Sequence, residues 1–60
     1  MRISQAEGKR VKITCVDGEV ITGFAYDYIS ESDNEPEPAS ITIDHIEIYE
    51  NEIEKIELIK

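Results

Sequence analysis

Sixty residues, 40% of them apolar and 33% charged, leave room for one domain with a thin core, because so short a chain buries only about 60% of the surface its unfolded form exposes. The net charge of −8 is uneven: residues 1 to 16 set Arg2, Lys9, Arg10 and Lys12 against Glu7 alone, whereas residues 17 to 60 set Lys55 and Lys60 against thirteen acids. Most of this surface repels phosphate polyanions, no stretch is apolar enough to cross a bilayer, and the lone Cys15 has no partner for an internal disulfide. The start, MRISQAEGKR, lacks the apolar run of a signal peptide, so a cytoplasmic location is expected.

Residues 8 to 29 read as a β-hairpin. Val11, Ile13 and Cys15 alternate with Lys12 and Thr14, the period of a half-buried strand, and Asp17-Gly18 offers the backbone of a tight turn. The second arm, Glu19 to Ile29, is rich in β-branched and aromatic residues, and Gly23 inside it marks a bulge or sharp bend. Segment 30 to 39, SESDNEPEPA, has one apolar side chain, and its two prolines cannot donate to a ladder, which predicts an exposed acidic loop.

Beyond it, Ile41 and Ile43 lie on odd positions and Ile46 and Ile48 on even ones. A one-residue slip would turn the wrong face inward, so Asp44-His45 is expected to be a tight turn or bulge between two short strands. Glu50-Asn51-Glu52 is a polar break, and the three-residue step from Ile53 to Ile56 suits one helical turn before a last strand ending near Leu58. The expectation is an all-β chain with strands at about 9–16, 19–29, 40–43, 46–50 and 55–59. Its core would come from Val11, Ile13, Val20, Phe24, Ile41, Ile43, Ile46, Ile48, Ile56 and Leu58.

Nothing in the chain spells out chemistry. Cys15 falls on the apolar face of its strand and His45, the single histidine, in a polar turn, so no nucleophile, base and orienting partner share a predicted cleft. The alternating acids of 30 to 39 lack the glycine and distal glutamate of a calcium loop, and no zinc spacing or phosphate-binding glycine loop is present. No catalytic residue, metal or cofactor is therefore expected.

Five short strands, the second long and bent at a glycine, with a turn before the last, resemble the Sm-like (LSm) small barrel and, more loosely, SH3-like barrels. Gly8-Lys9-x-Val11-x-Ile13 leading to Asp17-Gly18 and Gly23 is similar to the first Sm motif, and Ile53-x-x-Ile56-x-Leu58-Ile59 to the end of the second. The resemblance implies a single five-stranded antiparallel barrel over residues 1 to 60. RNA-binding members carry an Asp and an Asn soon after the bend glycine and an arginine before the last strand. Here Asp27 and Asn34 are spaced differently, and that loop reads Glu50-Asn51-Glu52. The long N-terminal helix of the family is also reduced, because only Met1 to Glu7 precede the first strand.

The expected function is that of a non-enzymatic interaction module that presents Glu31, Asp33, Asn34, Glu35 and Glu37 of the loop, with Tyr26, Tyr28 and Tyr49, to a protein or peptide, a basic one by charge. The alternative is an RNA-binding Sm-like protein that uses Arg2, Lys9, Arg10 and Lys12. Glu47, Glu50, Glu52, Glu54 and Glu57 lie along the strand edges that would close a ring, so a monomer or dimer is expected.

Overall fold

The computed structural model describes residues 1–59. A single helical turn, α1 (Ile3–Ala6), precedes β1 (Arg10–Cys15) and β2 (Val20–Ile29). A second turn, α2 (Glu31–Asn34), leads to β3 (Ser40–Ile43) and β4 (Ile46–Tyr49), and a 3₁₀ turn over Glu50–Glu52 leads to β5 (Ile53–Leu58). The strands form one antiparallel sheet in the order β4-β3-β2-β1-β5. Its end strands, β4 and β5, are not paired with each other, so the sheet is open.

The first hairpin follows its alternation. Val11, Ile13 and Cys15 point inward, and Cys15 N–H donates to Glu19 O at 2.8 Å across the turn. β2 is long enough to pair with β1 through its first half and with β3 through its second. Between them its inward side chains shrink to Gly23 and Ala25, which lets the strand bend against the β3–β4 turn. At Asp27 (φ 55°) the register with β3 shifts, and this bulge leaves the Tyr28 N–H to the Glu7 carboxylate, 3.0 Å away.

The change of parity at Asp44-His45 is a two-residue turn with positive φ at both residues, 47° and 74°. Ile41 and Ile43 thereby share one face with Ile48. Ile3 and Ala6 of α1 join the same cluster with Val11, Ile13, Ala25 and Ile56. Lys9 ties that turn down by donating from Nζ to Gln5 O at 2.7 Å.

Four expected core residues lie outside it. Val20 and Phe24, 52% and 45% exposed, stand opposite Thr14 and Arg10 on the outer face of the hairpin, because the inward residues of β2 are the odd ones. Ile46 (49%) opens β4 at a free edge, and Leu58 (47%) ends β5 at the sheet margin. Their places are taken by Ile3, Ala6, Cys15, Ala25 and Ala39. Segment 30–39 is more ordered than an open loop: Asn34 Nδ2 donates to Pro38 O at 2.8 Å, and Ala39 and Ser40 are buried. β4 ends at Tyr49 and β5 starts at Ile53, since the polar break takes up only one 3₁₀ turn.

Candidate functional site

The expected site does not assemble as one surface. Tyr26 lies on the outer face of β2 opposite Thr42, which in turn faces Glu47. The Asp27 bulge rotates Tyr28 to the other side, where its ring packs on the core. Glu31 and Asp33 project from α2 and Glu35 and Glu37 from the segment after it, all exposed, with Asp33 accepting from Ser30 Oγ at 3.1 Å. Tyr49 and Asn34 do come together, around the buried Ser40. Ser40 Oγ donates to Glu47 Oε2 at 2.9 Å, Asn34 Nδ2 lies 3.5 Å from that hydroxyl, and Tyr49 Oη donates to Glu47 Oε1 at 3.4 Å. Glu47 first, with Glu37 and Glu52 adding to it, pushes the Tyr49 phenol above its ordinary 10.0. Asn34 thus ties the acidic segment to the start of β3, whereas the bonds of Ser40 and Tyr49 to Glu47 join β3 to β4 and brace β4 itself.

A cleft of about 340 Å³ lies instead between the β1–β2 turn, β4 and the 3₁₀ turn. Its walls are Cys15, Val16, Ile21, Ile46 and Ile48. Its other lining residues are Asp17, Glu19, Glu47 and Glu52, with no Lys or Arg among them. The turn after β1 positions two of these acids: Asp17 Oδ1 accepts the Glu19 N–H at 2.9 Å. Glu52 comes from the 3₁₀ turn, held by Val16 N–H to Glu52 O at 2.9 Å and by its own Oε1, which accepts the Tyr49 N–H at 3.0 Å. Among the described residues there is a single ion pair, the exposed Lys55–Glu57 at 3.7 Å, so the rim carboxylates are free of cationic neighbours.

Burial, followed by the charges of Asp17, Glu19 and Glu52, pushes the Cys15 thiol above its ordinary 9.0. The thiolate is the nucleophile, so this cysteine is suppressed as one. His45 is not among the residues that line the cleft. Alkylation of Cys15 by iodoacetamide, followed by mass spectrometry, is expected to be slow at neutral pH and to rise with a midpoint above 9.0. Fast reaction at pH 7 would show an exposed or activated thiol instead.

Sequence reasoning passed over this cleft because its acids are scattered over two turns and a strand. Of the apolar residues flanking Asp17-Gly18-Glu19, Val16 lines the cleft and is 64% exposed, while Val20 stands on the outer face, so the sequence carried no local signal for the cleft. Among the described residues, no group of three or more His, Cys, Asp or Glu is placed to hold a metal ion, and no helix is long and apolar enough to cross a membrane. No family model matches the chain, and no curated protein or solved structure is significantly similar to it.

Proposed function

We propose that this chain is a non-enzymatic interaction module built as a small barrel of the Sm-like or SH3-like kind, and that it binds a basic protein or peptide. The carrying observation is this cleft, whose apolar walls meet a rim of carboxylates without a cation. Such a site accepts the aliphatic stem of a lysine or arginine against Ile21, Ile46 and Ile48 while its charged head stays at the rim. The small-barrel reading is supported by the bend of β2 at Gly23, the return of β5 to β1 and the turn of helix packed on the core.

Association with a lysine-rich peptide is expected to slow as ionic strength rises, since exposed charges are screened beyond about 8 Å at physiological salt. Exchanging Glu31, Asp33, Glu35 and Glu37 for serine should lower the association rate. The triple variant Asp17→Asn, Glu19→Gln, Glu52→Gln should weaken affinity by roughly 3- to 100-fold, the sum of three exposed charge pairs of up to about 1 kcal/mol each. Stopped-flow fluorescence reads both. A rate and affinity indifferent to salt and to all seven carboxylates would defeat the proposal.

One observation favours RNA as the second reading: Phe24, exposed, lies directly opposite Arg10 on the outer face, an aromatic beside a cation as base stacking uses. Against it, Lys12 faces Glu57 across β1 and β5, and the chain carries −8 overall. Single-stranded RNA is expected to bind no better than about 10⁻⁴ M at physiological salt, the weak end of non-specific affinity. Micromolar binding abolished by changing Lys9, Arg10 and Lys12 would exchange the order of the two readings.

A further inference from the structure

Resting on the proposed basic partner, we infer that the partner binds as an added β-strand on the free edge of β4, with one lysine or arginine side chain entering the cleft. Among the described residues β4 pairs only with β3. Glu50 N–H donates to Ala39 O at 2.7 Å, next to the pair Ser40 and Tyr49, so the even residues of β4 aim their amides at β3. Antiparallel ladders alternate, which turns the amides of Glu47 and Tyr49 outward. The Tyr49 N–H confirms the direction, because it is taken up by the Glu52 carboxylate rather than by β3. Glu47 is left to offer its N–H and carbonyl to an incoming strand.

The cleft lies along this edge. Ile46, Glu47 and Ile48, three consecutive residues whose side chains alternate between faces, all line it, as does the Glu52 that covers the Tyr49 amide. An extended segment bonded to Glu47 therefore runs beside the cleft and can drop every second side chain toward it. Its volume of about 340 Å³ is at the small end of ligand clefts, which suits one long side chain.

The charges choose the occupant. A second copy supplying its β5 would bring Glu54 and Glu57 toward Asp17, Glu19 and Glu52, acid against acid. A basic strand brings opposite charge to the same place.

A short blocked peptide alternating lysine and valine serves as the probe, with backbone N-methylation moved along it one position at a time. Strand addition expects affinity to fall by about 2- to 12-fold at every second position and little between, since only alternate amides face the edge and each loses one hydrogen bond. Hydrogen exchange of the Glu47 amide should slow in the complex. A peptide that binds with a flat N-methylation profile and an unprotected Glu47 overturns strand addition and leaves the basic-partner reading standing. Failure of the unmethylated peptide to bind overturns both. Sedimentation of the free chain as a hexamer or heptamer, with Glu47 already protected, would assign the edge to a second copy and also defeat the inference.

Discussion

Ile43→Ala is expected to remove about 2–4 kcal/mol of folding stability, a large share of the margin of a small domain. Ile43 is fully buried and paired with Ala25 on β2 and Ile46 on β4, at the place where the bent strand meets the second hairpin. Ala25 is too small and Ile46 too exposed to fill the vacated space, so most of the cavity would persist. For a chain of this size the thermal midpoint should fall by on the order of 10–30 °C, read by circular dichroism and checked by urea titration. A midpoint within a few degrees of the parent would show that this position tolerates a void and that the core is centred elsewhere.

Gly23→Ala attacks the same junction from the other side. A methyl there would collide with the Asp44 carboxylate and approach Ile43 Cγ2 to 2.9 Å. The Asp44 carboxylate is exposed, but Ile43 is enclosed, and forcing it aside is overpacking, which costs about 1–3 kcal/mol, on top of the backbone strain of a side chain at φ 157°. We expect the upper end of that range. Ile43→Ala removes the obstructing methyl, so the double variant should be less damaged than the two single losses added together, by about 0.5–3 kcal/mol. Strict additivity in urea titrations would mean that the bend resists a side chain for some reason other than Ile43.

The hairpin and both short turns were legible because each rests on local physics. Alternation over Val11 to Cys15, Asp17-Gly18 and the odd-to-even change at Asp44-His45 all constrain the backbone within a few residues, and the strands form where these place them, whereas the step from Ile53 to Ile56 is no helical turn but lies inside β5, where the register against β1 shifts, the helical turn being Glu50–Glu52. Which face of β2 turns inward was not legible. Val20, Phe24, Tyr26 and Tyr28 form an apolar stripe at even positions, yet the small odd residues Gly23 and Ala25 point inward, since only they allow the strand to approach Ile43. The Asp27 bulge then reverses the parity, and nothing within a few residues of Asp27 announces it.

The cleft was hidden for a related reason. Its carboxylates sit in the turn after β1 and in the 3₁₀ turn before β5, segments far apart in the chain that meet only because β5 returns to β1. The acidic segment 30–39 attracts attention by density of charge, but its carboxylates point to solvent without enclosing a cleft, and only Asn34 turns toward Ser40 and the backbone of Pro38. Density of charge along a sequence does not mark the clefts and unpaired edges that a sheet leaves.

The pairing of β1 with β5 also sets an order of events during translation. The hairpin of β1 and β2 can leave the ribosome early, but one side of β1 then has no neighbour until Ile53–Leu58 has emerged, and Ile13 waits that long for Ile56. Until then β1 is an open strand backed by Val11 and Ile13, the kind of surface on which unfinished chains stick together. Arg10 and Lys12, spaced along that strand, act as gatekeepers through this interval, because two half-made copies would have to bring like charges together before their backbones could join.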